Sequence, residues 1–162
     1  MYARTDVGGA YRWIASAQRW QPLMDWVNEQ QIGLMGIESM AIDPQHPNRL
    51  YLYAGTSYFA NGYSAILVSD DYGASLRVRY TCTARFPAHG NDYGRGMGER
   101  LAVSPTDSTL LLCGSRTRGL WRSQDSGSTW TRVGTQAFPN DRKIAFVRFV
   151  SGWGGVATPG WN

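Results

Sequence analysis

The sequence predicts an all-β chain made of β-propeller blades. Three observations carry that reading: short β-rich runs between turn residues, an internal repeat, and a turn motif that recurs at the same place in each full repeat. The runs are "RLYLYAG", "AILVS", "TLLLCGS" and "GLWRS", each set between Gly, Pro, Asp or Asn turns. Little of the chain follows a helical period.

The repeat aligns "GIESMAIDPQHPNRLYLYAGTSYFANGYSAILVSDDYGASL" with "MGERLAVSPTDSTLLLCGSRTRGLWRSQDSGSTW", segment by segment, with length differences confined to loops. Each copy reads as a four-stranded unit, over about residues 33–81 and about 97–134. An incomplete unit over 1–27 opens the chain, where "YARTDVGGAYRW" matches a strand, loop and strand of the full copies and the first strand is missing. Residues 1–137 are therefore expected to form part of a propeller. Residues 138–162, "FPNDRKIAFVRFVSGWGGVATPGWN", read as a divergent or truncated tail, rich in glycine and aromatics.

The recurring motif is S-x-D-x-G, the Asp box of β-propeller blades, in "SDDYG" at 69–73 and "SQDSG" at 123–127; the second continues to Trp130. Asp71 and Asp125 are carboxylates and so of catalytic type. In such a turn, however, the Ser69, Asp71, Ser123 and Asp125 side chains bond local backbone groups, Gly73 and Gly127 supply positive φ, and Trp130 packs beneath. These seven residues are expected to be structural. Leu76 replaces the tryptophan in the first copy.

If each unit is a meander, its turns alternate between the two faces of the propeller. The Asp boxes then share a face with "DPQHPNR" and "SPTDST", while the opposite face collects "TSYFANGY", "GSRTRG", "FPAHGNDYGRGMGE" and the loop holding Asp6. Tyr58, Tyr63, Tyr93, Arg95 and Arg116 fall there with His89 and Asp92. Aromatic rings, arginines and carboxylates together suit carbohydrate binding. From its residues alone, "ARTDVGGAYRW" leaves Asp6 open to two readings, a turn former or a catalytic carboxylate. Tyr11 and Arg12 follow as candidates to position Asp6 or touch a substrate, although strand alternation sends them to opposite sides.

Composition narrows the function classes. The net charge of +4 comes from scattered arginines, with Lys143 the single lysine, which argues against a nucleic-acid-binding tract. No run approaches the roughly 18 to 20 apolar residues of a membrane helix, and Arg4, Asp6 and Arg12 stand where a signal peptide would place an apolar core. No membrane partner and no signal peptide are read in this chain. Cys82 and Cys113 fit neither metal-ligand spacing nor a disulfide framework and are expected as buried free thiols. No metal site and no cofactor are expected.

The segments "YARTDVGGAYRW", "WQPLMDW", "GIESMAIDPQHPNRLYLYAGT", "GRGMGERLAVSP" and "GLWRSQDSGSTW" occur in an order that resembles the amino-terminal blades of glycoside hydrolase family 74. That family comprises xyloglucan-specific endoglucanases and oligoxyloglucan reducing-end-specific cellobiohydrolases. The likeness runs from residue 1 to about residue 135. It implies two seven-bladed propellers facing across a cleft, a secreted parent enzyme, and inverting cleavage of the β-1,4-glucan backbone of xyloglucan. By this resemblance Asp6 is the general base; Tyr11 and Arg12 beside it, and Tyr58, Tyr63, Tyr93 and Arg95, placed on its face by the loop topology, are the substrate-binding candidates. The general acid belongs to a second propeller, which no segment here matches, so the chain is expected to be a fragment, inactive alone. Two rivals stand beside this reading: a non-catalytic Asp-box scaffold, and a sialidase-like hydrolase, which would need an arginine cluster drawn from Arg4, Arg12, Arg95 and Arg116.

Overall fold

In the computed structural model of the chain the described residues are 1–94, 96–134 and 143–150. Arg95 and much of the stretch read as a tail, 138–142 and 151–162, lie outside them. The described residues form three antiparallel sheets, each a meander of consecutive strands. The first contains β1 (Tyr2–Arg4), β2 (Ala10–Ile14) and β3 (Arg19–Pro22). The second contains β4 (Ile37–Ile42), β5 (Leu50–Gly55), β6 (Ser64–Ser69) and β7 (Arg77–Thr81). The third contains β8 (Leu101–Val103), β9 (Leu111–Ser115), β10 (Gly119–Ser123) and β11 (Thr131–Arg132). The all-β, propeller-blade architecture read from the sequence is what these sheets show.

The sheets stack face to face, and strand alternation explains how. Every residue of β5 and β6 is buried, because the second sheet is covered on both sides. Successive side chains of a strand point to opposite faces. Tyr51, Tyr53, Ile66 and Val68 therefore meet Leu111, Cys113, Trp121 and Trp130 of the third unit, with Phe86 between them. Leu50, Leu52, Ala54, Ala65 and Leu67 face the other way, toward Ala10, Leu23 and Met24 of the first unit. The Phe86 ring stacks on Trp121 at 4.7 Å between centroids and lies 5.5 Å from Trp130. Cys82 and Cys113 sit in this cluster as free thiols, and burial pushes both thiol pKa values up. Residues 143–150 cover the far face of the third sheet. There Ile144 and Phe149 pack beside Leu112, Leu120 and Val147, and the Ile144 and Val147 amides donate to Ser115 O (3.1 Å) and Glu99 O (2.9 Å).

Both S-x-D-x-G turns close in the same way. Ser69 Oγ accepts the Gly73 N–H at 2.7 Å and donates to Asp71 Oδ1 at 2.7 Å, while Asp71 accepts the N–H and hydroxyl of Ser75 at 2.9 and 2.6 Å. Ser123, Asp125, Gly127 and Thr129 repeat the pattern with bonds of 2.6 to 2.8 Å. The residue before each glycine is left-handed too: φ is 61° at Tyr72 and 57° at Ser126, preceding Gly73 (88°) and Gly127 (83°). Paired positive φ values match the twist of a tight hairpin, which explains the glycine and adds a constraint on its neighbour. The Trp130 indole N–H donates to Gly127 O at 3.1 Å and locks the second turn to the core. The Ser75 hydroxyl, the Ser75 N–H and the Ser69 hydroxyl hold the Asp71 carboxyl down at about 2. Asp125→Ala removes the bonds to Ser123 and Thr129 at once. It should lower unfolding stability by about 1 to 2 kcal/mol, the scale of a lost helix cap. Denaturant unfolding measures it, and an unchanged midpoint would show that the turn holds without the carboxylate.

Candidate active site

The side opposite the S-x-D-x-G turns is built from the β1–β2, β5–β6 and β9–β10 loops and from the links between sheets. The loop over residues 5–9 is closed by Thr5, whose hydroxyl accepts the Gly8 N–H at 2.7 Å and donates to Gly9 O at 2.9 Å. It is anchored to the link before β4 by Gly9 N–H to Met35 O (2.8 Å) and Ile37 N–H to Thr5 O (3.1 Å). Asp6 lies between these anchors, half-buried. That link holds a 3-10 helix, Glu29–Met35, in which the Asn28 side chain caps the Gln31 N–H at 3.1 Å.

Close approach of the loops depends on two glycines. A Cβ on Gly36 would lie 2.3 Å from Thr56 Cγ2 and 3.0 Å from Asp6 O, so a side chain there would push the Asp6 loop and the β5–β6 loop apart. A Cβ on Gly90 would lie 2.6 Å from the Gly36 carbonyl carbon. The Asp6 loop, the Gly36 link, the loop beginning at Thr56 and the Gly90 link therefore meet in one row. Gly9 serves packing, since its missing side chain faces Met24 at 2.9 Å.

The candidates distribute as follows. The Tyr11 hydroxyl reaches the Asp6 loop, 3.5 Å from where a Gly8 Cβ would stand. Arg12 instead lies over the Tyr72 ring at 5.1 Å, on the side of the S-x-D-x-G turns and away from Asp6. Alternation along β2 turns Arg12 to the sheet face that meets the second sheet and Tyr11 to the opposite one. Tyr58 is exposed, and the Asp92 carboxylate, accepting its hydrogen bond, raises the phenol pKa. Tyr63 packs against the apolar cluster between the first and second sheets. Tyr93 is 99% exposed. Asp92 approaches Ser57 Oγ at 3.4 Å and His89 Nδ1 at 3.1 Å. The structure thus brings Asp6 and Tyr11 together at one end of the row, and Tyr58, His89, Asp92 and Tyr93 at the other. Arg95 lies outside the described residues.

Behind the second group is a buried ionic cluster that the sequence reading missed. Glu38, fully buried, accepts from Arg116 Nε with one oxygen and from the His89 N–H with the other, and Arg100 Nη1 stands 3.3 Å away. Arg116 Nη1 also donates to Tyr93 O, and Arg100 Nη2 to Gly94 O at 3.4 Å. Glu38 therefore ties the base of the 89–94 segment to two arginines that grip its far end. Burial pulls the Arg100 pKa down, with the Glu38 charge opposing that shift. The available signal was a charged residue inside an apolar strand, Glu in "GIESMAI" and Arg in "ERLAV". A cavity of about 650 Å³ opens beside this cluster, lined by His89, Asp92, Tyr93, Met97, Arg116 and Ile144 among others. Among the described residues no group of three or more His, Cys, Asp or Glu could hold a metal ion. None of their helices is long and apolar enough to cross a membrane.

Comparison with known proteins adds independent findings. No protein-family model matches the chain. A probable oligoxyloglucan-reducing end-specific xyloglucanase of Neosartorya fischeri is 44% identical over 151 residues, 92% of this chain and 18% of that protein. A xyloglucanase of Acetivibrio thermocellus is 44% identical over 143 residues, 86% of this chain and 16% of that protein. Among solved structures, a glycoside hydrolase family 74 enzyme of Niastella koreensis superposes with a TM-score of 0.86 at 48% identity, over 93% of this chain and 23% of that one. The family 74 xyloglucanase of Xanthomonas campestris gives 0.82 at 42% identity, over 98% of this chain and 24% of that one. The chain spans about a fifth of the length of the curated relatives it matches.

Proposed function

We propose, from a chain that shares sequence and fold with glycoside hydrolase family 74 over most of its length, that it is part of a xyloglucan hydrolase and carries the general-base half of the active site. The observation that carries this reading is the placement of Asp6. Its loop is hydrogen-bonded at both ends to the next sheet's link and lies on the side where Tyr58, Asp92 and Tyr93 are presented. A carboxylate in an anchored loop on the same side as exposed aromatic rings is suited to activating water next to a bound sugar.

In inverting hydrolysis one carboxylic acid protonates the leaving oxygen while a carboxylate activates water on the opposite face of the ring. The two groups stand about 6.5 to 9.5 Å apart. Asp6 supplies the base. The acid comes from a second propeller across the cleft, outside this chain. Tyr11, whose hydroxyl lies against the Asp6 loop, orients that loop, and Tyr58 and Tyr93 offer stacking surfaces for the glucan. Arg12, over the Tyr72 ring, and Tyr63, half-buried against the apolar cluster, are the candidates that this placement supports least. The sialidase alternative loses support because its described candidate arginines are already engaged by the protein: Arg4 pairs with Glu99 at 2.6 Å, Arg12 lies over Tyr72 and Arg116 binds Glu38.

The full-length protein should release reducing sugar from xyloglucan, with proton NMR of the first products showing inverted anomeric configuration. Retained configuration would remove the base role from Asp6, and no release would remove the glycosidase reading.

A further inference from the structure

A second polar site lies on the side of the S-x-D-x-G turns, at the seam between the second and third sheets and away from Asp6. A recess of about 140 Å³ is lined by Arg49, Tyr51, Asp70, Arg77, Arg79 and Ser126, with Val68 at its side. Three guanidinium groups meet the Asp70 carboxylate there, and the buried Asp43 carboxylate stands 4.0 Å from Arg49 Nη1, which leaves a local excess of one positive charge.

Each arginine is already oriented by the protein. Arg49 Nε and Arg77 Nη2 clamp the two oxygens of Asp70 at 2.6 and 2.7 Å, and this lowers the Asp70 pKa so that it stays ionised. Arg79 does not share that carboxylate. Its Nε and Nη2 donate to the backbone carbonyls of Ser126 (3.0 Å) and Asp125 (3.1 Å). The register explains why: Ile66 pairs with Tyr80 and Leu67 with Val78, so Arg79 is the extra residue of a β-bulge in β7. A bulge re-aims its side chain, and here it carries a guanidinium across the seam to the second S-x-D-x-G turn. Among the described residues these bonds leave Arg79 Nη1, and Nε and Nη1 of Arg77, without a protein acceptor. Planar forks fixed in place with unused N–H groups match the paired oxygens of an oxyanion, and little side-chain freedom is lost on binding.

We propose that this recess is a binding site for a small oxyanion group, the carboxylate of an acidic sugar or a phosphate. The bound group takes the unused donors of Arg77 and Arg79 and neutralises the charge excess beside Asp70. The site is independent of the glycosidase reading and survives its failure.

The test is titration of the chain with sodium galacturonate, and separately with sodium phosphate. Sodium chloride at matched ionic strength is the control, and the arginine Nε–H signals are followed by NMR. The Arg77 and Arg79 signals should shift saturably with at least one oxyanion and not with chloride. Arg79→Gln should raise the half-saturation concentration by about ten-fold, the effect of losing one charged hydrogen bond. Arg77→Gln, at a largely exposed side chain, should do the same without a risk to folding. Saturation by galacturonate alone identifies a carboxylate site, by phosphate alone a tetrahedral-anion site, and by both a general oxyanion site. A response that chloride reproduces, or an unchanged half-saturation in folded Arg77→Gln, overturns the proposal.

Discussion

Asp6→Asn in the full-length enzyme should lower xyloglucan turnover at saturating substrate by about 10² to 10⁴-fold, the range that general-base catalysis contributes. Asparagine keeps the size and hydrogen-bonding shape of the side chain but cannot accept the proton of the attacking water. The loop should survive the change, because its closure comes from the Thr5 hydroxyl and from backbone bonds to Met35 and Ile37. KM should therefore move much less than kcat, the signature of an interaction that matters only in the transition state. The 162-residue chain by itself should release no reducing sugar from xyloglucan, since one carboxylate cannot protonate the leaving oxygen and activate water on the opposite face of the ring. An Asn variant turning over at near the parental rate would return Asp6 to the role of turn former.

How much of this was legible beforehand depended on whether the signal was local. The strands showed in the sequence because β5 and β6 are continuous apolar, β-branched and aromatic runs, and the hairpins between them end in side chains that bond their own backbone. The sidedness of the loops followed from meander topology alone, and it separated Asp6 from Asp71 and Asp125 without coordinates. The 3-10 helix at Glu29–Met35 did not show, because a seven-residue segment containing Gly33 has too few turns to display a period. Nor could the sequence tell that Arg12 would settle on Tyr72, 60 positions away, or that Tyr63 would pack half-buried against the core. The Glu38 cluster was hidden for the same reason: its partners at positions 89, 100 and 116 lie in the link after β7 and in the next unit, and their meeting depends on how sheets stack.

That cluster gives the largest expected effect on stability. Glu38→Ala leaves the Arg100 and Arg116 side chains, 2% and 8% exposed as residues, without the one carboxylate they share. Breaking a buried ion pair from one side costs about 3 to 5 kcal/mol, far above the roughly 0 to 1 kcal/mol of an exposed pair, because the remaining charge is neither solvated nor compensated. The His89 N–H loses its acceptor in the same step. Denaturant unfolding of the full-length protein should show the transition of the part that contains these sheets displaced to lower denaturant. Glu38→Gln keeps the shape and one accepting oxygen but removes the charge and turns the second acceptor into a donor, so its transition should fall between parent and Glu38→Ala. If Glu38→Ala lies within about 1 kcal/mol of the parent, the guanidinium groups reach water or another acceptor when Glu38 is removed, and the cluster is no stronger than a surface pair. If the loss is large, the 89–94 segment is held where Asp92 and Tyr93 face the Asp6 side by a charge balance inside the propeller wall. The shape of the proposed sugar-facing surface then depends on a carboxylate buried behind it.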